Sequence, residues 1–169
     1  MAFTFVFMIF LYGLFCIPGY VLTGISLYVI ADRRGIEQPW RAWVPLVNFW
    51  LIGCISDQYQ AIVRGKQKNK RTALMLLILA LLIAFCAMHI WAPSGTAASE
   101  SMLPFLLIFV PAWCASAALL VITFMALYDL YVSCDPRHAA LYLVLSIVFS
   151  VTMPVFLFLC RKKDLGFPL

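Results

Sequence analysis

The chain has 169 residues, of which 65% are apolar and 11% charged, with a mean hydropathy of +1.01. Soluble domains run nearer half apolar and a quarter charged, so an ordinary soluble enzyme or binding domain is excluded. Twelve basic against seven acidic residues leave a net charge of +5, which in a membrane protein speaks mainly about orientation.

The charges gather at 32 to 41, 57, 64 to 71, 100, 129 to 137 and 161 to 164, and the stretches 2 to 31, 72 to 99, 101 to 128 and 139 to 160 carry none. Each exceeds the roughly 20 residues that an apolar helix needs to cross the hydrocarbon core. The pattern predicts a single all-α domain, an integral membrane helical bundle. It has four transmembrane helices over about 2–31, 73–92, 102–128 and 139–160, and one interfacial or re-entrant segment over 40–60. The first stretch has no basic n-region and no small-residue cleavage site before Asp32-Arg33-Arg34. It is expected to remain in the mature chain.

The second segment is too short for a span, since the uncharged core from 42 to 56 is only 15 residues. Trp40, Trp43 and Trp50 suit the headgroup level as interfacial anchors, while Pro45 and Asn48 ask for neighbours that lipid does not supply. Positive charge decides the matter. If 42 to 56 crossed, the twelve basic residues would divide six against six, whereas a returning segment gives nine against three. The bias places 32–41 and 64–71 in the cytoplasm and the N-terminus outside.

The linker after this segment supplies Arg64, Lys66, Lys68, Lys70 and Arg71, which are expected to contact anionic lipid headgroups. It joins two membrane segments without a folded module around it, so nucleic acid is not expected as a partner. Beyond it, Ala80, Ala84 and Ala87 form a small-residue face, as do Ala112, Ala115, Ser116 and Leu119 on the next helix. The loop 92 to 99 is rich in turn formers. An antiparallel hairpin packed through these faces is expected.

Asp57 and Asp129 are the acids flanked by apolar and aromatic residues, and they are expected to form interface ion pairs with Arg33, Arg34 or Arg41. The C-terminal stretch 139 to 160 is long enough to cross, which would leave Arg161, Lys162 and Lys163 outside. A second re-entrant segment would instead bring all twelve basic residues inside. Residues 126 to 163 echo 26 to 68, with Leu27-Tyr28 and Leu127-Tyr128 closing a long helix before a polar link, an apolar segment and a basic cluster. Hydrophobic length favours the crossing.

No catalytic constellation, phosphate loop or HExxH stands in the sequence, and no cofactor is implied. The six cysteines are scattered singly and the two histidines lie far apart, so no metal site is expected. Three apolar stretches contain an internal proline, at Pro18, Pro111 and Pro154, which membrane helices tolerate.

Two stretches, RRGIEQPWRAWVPLVNFWLIGCISDQY and ALYDLYVSCDPRHAALYLVLSIVFSVTMPVFLFLCRKKDLGFP, resemble a group of small polytopic membrane proteins of low-GC Gram-positive bacteria. The resemblance implies a bacterial inner-membrane location and carries no activity or functional residue. The expected function is non-catalytic, a membrane interaction or scaffold component in contact with the bilayer and its anionic headgroups, with a homo-oligomer or another membrane protein as partner. The alternative is a small channel or transporter subunit working as an oligomer.

Overall fold

The computed structural model describes residues 2–65, 69–91, 102–149 and 152–164, and all regular structure within them is helical. Helix α1 spans Ala2–Arg33, and Pro18 lies within it without ending it. Gly35 stops it. With φ at +65°, Gly35 donates its N–H to the Asp32 carbonyl while Ile36 donates to Ala31, so the last carbonyls are satisfied by a left-handed glycine.

The chain then folds back along α1. A 3-10 turn, Pro39–Trp43, lies against it, with the Trp43 ring 3.1 Å from where a Cβ on Gly24 would stand. Tyr20 donates its hydroxyl to the Trp43 carbonyl. Arg34 stands ten residues beyond Gly24, which places Trp43 about 15 Å back along the axis. Helix α2, Val47–Arg64, reverses direction through a tight turn at Leu46, whose φ is +68°, and Val47 N–H donates to the Pro45 carbonyl.

Helices α3, Lys70–Trp91, and α4, Met102–Cys134, pack together. Ala84, Ala87, Ala112, Ala115, Ser116 and Leu119 are half-buried while Ala80 is exposed, so the small-residue faces meet only in part. Pro111 is accommodated inside α4. The expected turn at 92 to 99, Glu100 and Ser101 fall outside the described residues.

The expected single helix over 139–160 is corrected. Two short helices occupy it, α5 over Ala139–Val148 and α6 over Thr152–Lys163, of ten and twelve residues. At 1.5 Å per residue they measure about 15 and 18 Å, short of the roughly 30 Å hydrocarbon core. Pro154 is the third residue of α6, in the first turn, where an N–H has no intrahelical acceptor in any case. Thr152 closes the corner, its hydroxyl donating to the carbonyls of Leu145 and Phe149. Apolar length does not distinguish one long helix from two short ones.

Among the described residues, two helices are long and apolar enough to cross a membrane, Lys70–His89 and Leu106–Cys134, fewer than the four expected. The core gathers at one end of the molecule. Leu27, Ile30, Leu51, Ile55, Leu127, Leu130 and Leu157 are fully buried there. Away from it α3 and α4 present Leu79, Ile83, Phe85, Leu107, Val110 and Trp113 outward. A hairpin so apolar on its outside suits lipid as its surroundings.

Candidate functional site: two buried ion pairs at one end of the bundle

Arg34, Lys70, Asp135, Lys163 and Asp164 of the core end stand at helix termini. Asp129, near the end of α4, accepts from Lys70 Nζ at 2.6 Å, from Ser56 Oγ at 2.6 Å and from Gln60 Nε2 at 2.9 Å. Ser56 and Gln60 stand one turn apart on α2, so both reach the same carboxylate. Lys70 is the first residue of α3, and its ammonium also donates to Ser56 at 3.1 Å. All four residues are buried.

The second pair ties the end of α1 to the end of α6. Arg34 donates through Nε to Asp164 Oδ2 at 3.0 Å and through Nη2 to Oδ1 at 2.6 Å, and Nη2 also reaches Ser133 Oγ at 2.7 Å. Both side chains have zero exposure. The two-pronged geometry matches a planar guanidinium to a carboxylate, among the stronger charged hydrogen bonds.

Two further contacts complete the end. Asp57 accepts from the backbone N–H groups of Lys70 at 2.9 Å and Arg71 at 3.1 Å, so a carboxylate from α2 satisfies the first orphan donors of α3 and opposes its positive dipole end. Asp135, just after α4, accepts from Lys163 Nζ at 2.5 Å. That bond, with the neighbouring His138, holds the Asp135 carboxyl below the usual carboxylate range, and the same carboxylate raises Lys163. Asp135 and Lys163 bracket the α5–α6 hairpin, so its beginning and end touch.

The expected partners of Asp57 and Asp129 are corrected by this geometry. Arg33 donates to the Arg161 carbonyl at 2.7 Å, Arg34 takes Asp164, and the Arg41 guanidinium lies 4.8 Å from the centre of the Trp50 ring. The reason is placement: α3 starts beside α2 and α4, which brings Lys70 to the carboxylates before any arginine of the α1 end. Lys70 is therefore a buried counter-ion and is not exposed to headgroups. Arg64 and Arg71 are exposed, and Lys66 and Lys68 fall outside the described residues. Trp40 and Trp43 expose 57% and 42% of their surface, while Trp50 is half-buried beneath Arg41.

Asp164, Ser133, Ser56 and Gln60 were not legible as members of these networks. Ser56 and Gln60 do share a face with Asp57-flanking apolar residues, a signal at helical spacing. Nothing local marks Asp164. Among the described residues no three His, Cys, Asp or Glu side chains gather as a metal site.

The chain matches no family model, no curated protein and no solved structure. Among the described residues the geometry defines an all-helical arrangement with two helices long and apolar enough for a bilayer and an ion-paired end.

Proposed function

We propose that the chain is a bacterial inner-membrane protein that acts without catalysis, as a membrane interaction or scaffold component. In this reading α1, α3 and α4 cross, the N-terminus is outside, and the segments 39–64 and 139–163 each enter and leave through the cytoplasmic face. The contact between Asp135 and Lys163 supports the return of the second segment. All twelve basic residues then lie inside, the arrangement that positive charge favours. Three crossings replace four.

The observation that carries the non-catalytic reading is the saturation of the buried acids. Asp129 and Asp164 each have a cationic partner within 2.6 Å, and Asp57 is held by two backbone donors. Carboxylates bonded in this way brace helix ends. They are poorly suited to accept and release an ion.

A second reading, a channel or transporter subunit, is favoured by one observation. Asn48 Oδ1 and Gln60 Oε1 are buried on α2 without hydrogen-bond partners among the described residues, and broken helices with polar groups at depth line transport sites in other folds.

Topology is tested first. A reporter active only in the cytoplasm, fused after Leu169, should be active, and in a cysteine-free background a cysteine at Ala97 should react with an impermeant thiol reagent from outside while one at Gln67 should not. A silent reporter would refute the returning hairpin. For function, reconstituted protein should show no cation flux and should recover a stoichiometric partner from native membranes. Flux without a partner favours the second reading.

A further inference from the structure

Helices α1 and α4 hold equivalent residues in equivalent places. Thr23 donates its hydroxyl to the Gly19 carbonyl as Thr123 does to that of Leu119, and Leu27, Ile30 and Ala31 are fully buried, as are Leu127, Leu130 and Tyr131. Each of these long helices is followed by a segment that packs on the other one, α2 on α4 and α6 on α1. The halves differ in one respect. Beside α2, the surface of α4 is covered by α3, and Ala118 is half-buried and Asp129 buried there. The matching residues of α1, beside α6, are Pro18, which is exposed, and Val29, which is half-buried. Among the described residues α1 packs on the 3-10 turn, α2 and α6, and nothing takes the place on it that α3 takes on α4.

Pro18, Leu22, Ile25 and Val29 mark this open side, and none of them is buried. Their spacing of four, three and four residues is that of a seam which keeps facing a parallel neighbour. At 3.6 residues per turn, Asp32 and Arg33 stand about 50° to either side of the seam, at the C-terminal end of α1. Both are exposed. Asp32 belongs to no ion pair among the described residues, and Arg33 donates to a backbone carbonyl, that of Arg161. About a two-fold axis the one flank of a helix meets the opposite flank of its copy. Each Asp32 then faces the Arg33 of the other chain.

We propose that a second copy of this chain covers the open side, α1 against α1, in a parallel pair whose two-fold axis runs along the membrane normal. Such a self-complementary contact suits two copies inserted with the same orientation. The apolar seam supplies the packing, and the two Asp32–Arg33 pairs fix register and partner, since exposed ion pairs add little affinity. Charge selects this helix of the copy over α3, whose Lys70 and Arg71 at the same end would bring like charge to Arg33. The contact deepens the interaction reading above by naming its partner, and it rests on that reading, in which α1 crosses the bilayer.

The test uses the full chain in detergent micelles and in phosphatidylcholine vesicles. Native mass spectrometry of the wild-type protein should show a dimer of 19.1 kDa chains, a measurement that needs no variant. In a cysteine-free background V29C, on the seam, should give a disulfide-linked dimer when copper phenanthroline takes up the two electrons and the thiol protons leave to solvent. L79C, on the outward face of α3, should not. D32R should weaken the dimer about tenfold, because both pairs become like-charged, and D32R combined with R33D should recover it, because exchanged signs restore both pairs. A monomeric wild-type protein, equal cross-linking at V29C and L79C, or a D32R variant that dimerises as well as the wild type would overturn the proposal. So would capture of a different membrane protein at V29C in place of the second copy. Flotation separates this failure from that of the membrane reading: protein that floats with the vesicles as a monomer refutes the dimer alone, and protein that fails to float refutes the membrane reading and the dimer with it.

Discussion

Arg34 and Asp164 lie 130 positions apart in sequence, yet the guanidinium of one donates to both carboxylate oxygens of the other, with neither side chain exposed. The pair locks the end of α6 against the end of α1, and so returns the C-terminal hairpin to the level at which it left α4. Removing one partner strands the other charge in a dry site. Asp164→Asn or Arg34→Met should therefore cost about 3–5 kcal/mol and lower folded yield in detergent, while the double change Arg34→Met with Asp164→Leu should recover much of the loss. Thermal unfolding of the three variants checks this, and a double variant worse than either single one would contradict it.

Asp129 and Lys70 set the second brace. Asp129→Asn leaves Lys70 without its counter-ion, and Lys70→Met leaves the carboxylate with only Ser56 and Gln60. Both should reduce yield by an amount like that of the first pair. Normal yield of Asp129→Asn, together with the loss of a cation flux present in wild-type vesicles, would turn the functional reading to the channel.

Gly53 should tolerate no side chain. A Cβ there would stand 2.7 Å from the α-carbon and 2.9 Å from the nitrogen of Arg71, both backbone atoms. Gly53→Ala should push α2 from α3 and cost about 1–3 kcal/mol. Gly24→Ala should cost less, since its nearest neighbour is the Trp43 ring at 3.1 Å, which can rotate. Melting temperatures of the two variants rank them.

The hairpin closure by Asp135 and Lys163 should depend on pH only at the extremes. Asp135 titrates below its ordinary value of 3.8 because Lys163 favours the carboxylate, so this contribution is present above 3.8 and is lost as pH falls through the lower, folded value. Lys163 is raised above 10.5 by the same bond. Its contribution is complete below 10.5 and is lost as pH rises past the folded value. Spin labels at exposed Arg137 and Lys162 should report an unchanged separation between these limits. A separation that grows near neutrality would show that another group controls the closure.

Composition and charge spacing pointed to apolar helices of membrane length, of which the described residues show two, and Gly35 and Gly65 mark helix ends that local sequence also explains. These are properties of single segments: transfer of an apolar stretch and the left-handed φ that glycine tolerates. For the short segment at 42 to 56, length and the count of arginines and lysines favour a return over a crossing.

The 139–160 stretch was not legible, since one long helix and two short ones bury similar apolar residues and Pro154 suits a first turn as well as a tolerated kink. The choice is made by contacts across the bundle, above all Lys163 with Asp135 and Asp164 with Arg34. The same holds for the acids. Their settings showed that Asp57 and Asp129 needed partners, but which donors meet them depends on where α3 begins relative to α2 and α4, and a buried charge takes the nearest satisfied geometry whatever its separation along the chain.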